Sequence, residues 1–360
     1  MRQAILSLLL CMPAVFGQET LTADIAIARW TEDVELGLYP SVVREARAAL
    51  QANPKLASNA EFVVLYARAL ARSGGYDEAY ERLHAIGTAK QTAGVVAVAL
   101  AQLELEEDKL REVIARLALS DPQQPLRYPA LPEAWVVLGK ARYRLGEVDA
   151  AIPLLQQFVT NWRMHPEAPS AWHMLAQASM TRRDMQGART AREQGQNLAT
   201  WHAFYRTRRI QVREAPQDPL PRFGLAQLWS SVEELDRALE EVHTTLKLDP
   251  EFARAWALQG EIERKRGNQG KALEAYGKAL KLDSSLSDAR FNRALLALEA
   301  KDDELARSDL ELIVNGPEQT AERYLGAHLA LARFLKRIGE DEAAEARFAR
   351  YEGLGGSAEL

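Results

Sequence analysis

The residues in this chain best suited to proton transfer or metal binding are six histidines, at positions 84, 165, 173, 202, 243 and 328, and a single cysteine, Cys11. A metal site needs ligands gathered on one face, as the two histidines of HExxH or repeated CxxC pairs achieve. These histidines form no HExxH and no close pair suited to a metal, and neither GxSxG, Walker A nor a GxGxxG followed by a strand is present. The sequence is therefore expected to carry no catalytic residue, no metal ligand and no cofactor site. One segment, 200–213, interleaves Trp201, His202, Phe204 and Tyr205 with Arg206, Arg208, Arg209 and Arg213. Aromatic faces beside guanidinium groups suit nucleic acid, carbohydrate or an acidic peptide. An amphipathic helix with its aromatics inward and its arginines in water has the same composition. The second reading is the one expected here.

The elements that must position such residues are set out most plainly in 253–286. Trp256 and Gly260 lie on one helical pattern, Gly267 and Asn268 break it, and Ala272, Tyr276 and Ala279 recur three to four residues apart on a second. This is an antiparallel helix hairpin, in which small residues let the backbones approach while Trp256 and Tyr276 fill the space beside them. On that view Trp256→Ala costs ~3–5 kcal/mol. The alanine opening the second helix recurs at Ala238, Ala272 and Ala306, separated by 34 and 34, and Ala344 follows after 38. Upstream, Trp135, Leu138, Gly139, Gly146 and Ala151 repeat the order, as do Trp172, Leu175, Ala176 and Ala188.

The unit resembles the tetratricopeptide repeat, a 34-residue pattern of Trp, Leu, Gly, Tyr, Ala, Phe and Pro. Trp256, Gly260, Ala272, Tyr276 and Ala279 match it, whereas Gln259, Glu263 and Ser284 depart from it. The resemblance implies an all-α, right-handed superhelical solenoid of antiparallel helix hairpins that binds a protein or peptide in its concave groove. In that family the first helix of each hairpin lines the groove, with places nine, twelve and thirteen among those facing it. Here those places hold Arg68, Arg72, Lys140, Arg144, Arg264, Lys265, Arg333, Lys336 and Arg337, against Glu261 and Glu299 alone. Such a row suits an acidic partner. It also suits the last turn of a helix, where cations offset the negative dipole end, and both readings stand at this level. The sixth places hold Leu65, Val137, Met174, Gly224, Leu258, Asn292 and Ala330, unlike the family's carboxylate clamp, so recognition of a chaperone C-terminus is not expected. The alternative function is a helical-repeat enzyme or glycan-binding subunit acting on cell-wall polymers.

Bulk properties agree with a folded repeat array. The chain has 360 residues, 47% hydrophobic and 26% charged, with a net charge of -5, too small a value to imply nucleic acid, and none is expected as a partner. Residues 1–17 have one positive charge at Arg2, an apolar run and small residues Val15 and Gly17, the pattern of a secretory signal peptide cut after Gly17. The run falls short of the ~20 residues that span a bilayer, so no transmembrane anchor is expected. The exported, periplasmic or secreted chain would begin at Gln18 and hold no cysteine. Degenerate hairpins are expected over 18–119, a Pro-rich connection over 120–131 and two repeats over 132–197. An irregular helical insert over 198–218, four repeats over 219–351 and a frayed Gly-rich tail over 352–360 complete the chain.

Overall fold

The computed structural model describes residues 23–86, 92–119, 125–316 and 324–357. The expected leader 1–17 and expected mature start at Gln18, residues 120–124 of the Pro-rich connection and 358–360 of the tail lie outside the described residues. Among the described residues there are eighteen α-helices and no strand, only an isolated antiparallel bridge between Ala118 and Leu126. The helices alternate as first and second members of nine hairpins. The first five hairpins are α1 (Ala23–Glu35) with α2 (Tyr39–Ala52), α3 (Ala60–Arg72) with α4 (Tyr76–Ala85), α5 (Ala93–Glu106) with α6 (Leu110–Leu117), α7 (Pro132–Arg144) with α8 (Val148–Asn161), and α9 (Ala168–Thr181) with α10 (Met185–Glu214). The remaining four are α11 (Pro219–Ser231) with α12 (Leu235–Leu248), α13 (Ala253–Lys265) with α14 (Gln269–Leu282), α15 (Ser287–Ala300) with α16 (Asp303–Val314), and α17 (Leu325–Arg337) with α18 (Asp341–Gly353). This is an all-α helical-repeat solenoid.

One turn is used nine times. Each first helix ends in a residue with positive φ: Gly37, Gly74, Asp108, Gly146, Arg183, Glu233, Gly267, Lys301 and Gly339. The next residue's N–H then bonds the carbonyl five residues back, for instance Gly75 to Leu70 at 2.8 Å, Glu234 to Trp229 at 3.0 Å and Asn268 to Glu263 at 2.8 Å. That is the Schellman closure, which satisfies carbonyls left open at a helix end. Five residues past each turn lies a buried small or β-branched side chain: Val42, Ala79, Val113, Ala151, Ala188, Ala238, Ala272, Ala306 and Ala344.

The small residues of the first helices admit large neighbours. A Cβ on Gly139 would meet Leu155 at 2.8 Å, and one on Gly260 would meet the Tyr276 ring at 2.7 Å. In both hairpins the residue seated on the glycine is one turn beyond the alanine of the pattern, because the larger side chain fills the gap that glycine leaves. Tyr276 is fully buried. Trp256 is only half-buried, with its indole N–H donating to the Pro250 carbonyl at 2.8 Å and Lys278 over its ring at 4.4 Å.

The chain divides into two compact units, Met1–Arg206 and Thr207–Leu360. In the first, one apolar cluster runs from Ile27 to Leu103 and a second from Val98 to Ala191. The described part of the Pro-rich connection belongs to that second cluster through Leu126, held by bonds from Leu119 N–H to Pro125 O at 3.0 Å and Arg127 N–H to Leu117 O at 2.8 Å. In the second unit, clusters around Tyr276 and around Leu310, Ile313 and Leu331 fill the hairpins. Residues 198–214 continue the 30-residue helix α10 without a break. Within it Trp201 is buried and stacks on Tyr205 at 5.2 Å, whereas Phe204 stands 55% exposed and Arg209 is buried. The aromatics and arginines of this segment therefore do not sort cleanly into core and solvent.

Candidate partner-binding face

In the first unit, α3, α5, α7 and α9 pack side by side, so that cations near the end of one first helix meet carboxylates on others. Arg68 on α3 donates to Gln102 of α5 at 3.1 Å and to Glu133 of α7 at 2.9 Å. Arg72 lies 3.3 Å from Glu106 of α5 and 3.8 Å from Glu167, the residue that opens α9. Lys140 of α7, only 13% exposed, pairs with the same Glu167 at 2.5 Å. Arg144 donates to the Leu105 carbonyl at 2.8 Å and faces Asp108 at 3.8 Å.

His165 sits between the two central carboxylates. Its Nδ1 accepts from the Glu167 N–H at 3.2 Å, which leaves the proton of the neutral ring on Nε2, 4.0 Å from Glu133. Burial pulls the His165 pKa below its ordinary value against the opposing pull of Glu133 and Glu167. For Glu133 burial acts upward, but Arg68 and a backbone N–H outweigh it and hold the carboxylate below its usual range. Lys140 and Arg72 do the same for Glu167. The face is thus a mutually neutralised network spanning several hairpins.

The second unit differs. Lys265 pairs with Glu261 at 3.0 Å on its own helix, and Arg337 with Asp303 at 2.5 Å while lying over Phe334. Arg264 is exposed beside the hydroxyl of Tyr276, whose pKa burial pushes up to about 12 against the pull of that guanidinium and of Asn292. Arg333 and Lys336 are exposed, and neither they nor Arg264 makes an ion pair among the described residues. Glu299 receives the Gln269 amide at 2.9 Å. The helices bearing these cations are stacked through α15, which packs on α13 and whose Phe291 lies against Gly326 of α17.

Places nine, twelve and thirteen of the seven clearest repeats hold the cations; Glu133 and Glu167 stand outside those places, and Glu106 occupies the thirteenth place of the degenerate α5–α6 hairpin, two residues before Asp108 as Arg72 is before Gly74. A readable signal existed: Pro132-Glu133-Ala134 and Pro166-Glu167-Ala168 put the same tripeptide at the start of two successive first helices, where a carboxylate suits the positive dipole end. Among the described residues no group of three or more His, Cys, Asp or Glu side chains could hold a metal ion, and no helix is long and apolar enough to cross a membrane.

Residues 136–194, 225–286 and 267–320 match the tetratricopeptide repeat family model. Among solved structures the chain is similar to MamA, at 15% identity and a TM-score of 0.37 over 50% of this chain and 94% of that one. It is also similar to PilF of Pseudomonas aeruginosa, at 16% identity and 0.36 over 63% and 93%. The APC/C hetero-tetramer Cut9–Hcn1 gives 18% identity and a TM-score of 0.40 over 93% of this chain and 59% of that one. No match was found among curated protein sequences.

Proposed function

We infer that this chain, which matches the tetratricopeptide repeat family model over residues 136–194 and 225–320, is a non-catalytic protein-interaction scaffold of the cell envelope whose second unit binds an acidic peptide segment. One observation carries the reading: Arg264, Arg333 and Lys336 are exposed on first helices without a carboxylate partner among the described residues. Lys265 and Arg337 flank them in existing pairs. Unneutralised charges on stacked helices steer an acidic segment through fields that decay over a Debye length of ~8 Å at physiological salt. The placement in the envelope rests on the leader pattern of residues 1–17.

The test is the triple reversal R264E/R333E/K336E, with binding of fluorescent poly-L-glutamate measured at low and physiological salt and helicity followed by circular dichroism. Binding at low salt should be lost with helicity intact. A folded variant that binds as the parent does would overturn the reading. Amino-terminal sequencing of exported protein should give Gln18, and Met1 on that material would count against export by a cleaved leader.

A further inference from the structure

The inner carboxylates of the first unit hold positions that a bound acidic ligand would take. Glu133 and Glu167 lie far along the chain from Arg68 and Arg72, yet Arg68 reaches Glu133 at 2.9 Å and Arg72 reaches Glu167 at 3.8 Å, across the intervening α5. Lys140 completes the set at 2.5 Å. Both carboxylates are part-buried, with side chains 20% and 32% exposed. Three cations from two helices therefore already bind two carboxylates. Neither carboxylate is at a helix-packing core position, since the buried residues of α7 are Ala134, Val136, Val137, Leu138, Gly139 and Ala141, and those of α9, which Glu167 precedes, are Ala168, Ala171, Leu175, Ala176 and Ala178.

We propose that the first-helix face of the first unit is a second, latent site for an acidic peptide, kept closed by Glu133 and Glu167 acting as internal occupants of Arg68, Arg72 and Lys140. An external acidic segment binds there only by displacing them, so the two units differ in readiness although they share one repeat. The proposal shares the acidic ligand class with the reading of the second unit but not its residues.

The experiment uses fluorescent poly-L-glutamate and the full chain carrying E133Q/E167Q, with and without R264E/R333E/K336E. Removing the internal charges should add a saturable, salt-sensitive binding event that survives the triple reversal. Loss of binding in the triple reversal alone reports on the second unit and leaves this prediction untouched. Lys140 gives a separate readout through E167Q: its acetylation should rise above that of the parent and be suppressed by poly-L-glutamate. The proposal is overturned if E133Q/E167Q adds no binding, if the added binding ignores salt, or if poly-L-glutamate fails to protect Lys140 in E167Q. Loss of helicity in E167Q would also overturn it, because the carboxylate would then be a structural strut rather than an exchangeable occupant.

Discussion

At the scale of single residues, the tryptophan that marks the repeat does less for the core than its size suggests. Trp256 and Trp135 are half-buried, and each donates its indole N–H to a carbonyl six residues earlier, Pro250 and Pro129, at 2.8 and 2.9 Å. Arg290 stands in the same place of the next repeat and makes the same bond to Ser284 O at 2.7 Å, so in these three repeats a long donor ties the helix start to the preceding loop. Tyr276 is the buried partner. Tyr276→Ala should therefore cost ~3–5 kcal/mol, and Trp256→Ala roughly half of that since its ring keeps a solvent face; urea unfolding of the two variants gives the comparison, and equal losses would contradict it. Acid sensitivity is also a residue property. His202 is pulled from 6.5 to about 4, first by burial and then by Arg206 and His165. As pH falls, the unfolded chain takes this proton before the folded one, so stability is full above 6.5 and declines from there to about 4. His202→Gln should flatten the decline across that window, as read from melting temperature against pH; a profile identical to the parent's would exclude His202 as a cause.

At the scale of elements, the hairpins were readable where glycine marked the turn and obscure where it did not. Gly37, Gly74, Gly146 and Gly267 punctuate the sequence, and all have φ between 79° and 85°. Asp108, Arg183, Glu233 and Lys301 take the same left-handed conformation at φ of 59° to 61°, held there by the Schellman bond and by packing of the small residue five positions on. Propensity alone does not reveal such turns, because tertiary contacts override a cost of ~1–2 kcal/mol per L-residue. The cost remains in the folded state. Lys301→Gly should then stabilise by up to ~1 kcal/mol after the added freedom of the unfolded chain is deducted, and Gly267→Ala, at the identical place one repeat earlier, should destabilise by ~1 kcal/mol. Chemical denaturation of both variants checks the pair; two changes of the same sign would refute the shared-turn account. The helix α10 was obscure for another reason. The repeat pattern lapses after Asn197, but no proline or glycine stands between there and Glu214, so nothing stops the helix. At the candidate face the cations were readable from their places, whereas Glu106, Glu133 and Glu167 meet them across hairpins, a relation that spacing within one repeat does not contain.

At the scale of the whole molecule, a repeat array holds together through nearest-neighbour interfaces, so its units lose structure according to their own interfaces rather than in one step. The first unit has two apolar clusters that overlap in α5, where Val98, Leu103 and Leu105 are divided between them, together with the ion network from Arg68 and Arg72 to Glu133 and Glu167. The second has separate clusters around Tyr276 and Leu310 and a buried Asp309, 1% exposed, held by Arg293 at 2.7 Å and Arg290 at 3.4 Å. Asp309→Ala would leave two guanidinium groups without their carboxylate, a change of ~3–5 kcal/mol for a buried pair. Linear propagation confines that loss: hydrogen exchange should rise across α15 to α18 and fade towards α11, while amides of α3 to α7 keep the protection of the parent. A matched Phe62→Ala, which removes a fully buried ring from the α3 core, should do the reverse, raising exchange in α1 to α5 alone. If either substitution lowers protection evenly from α1 to α18, the chain unfolds as a single cooperative body and the division at Arg206 and Thr207 is geometric without being energetic.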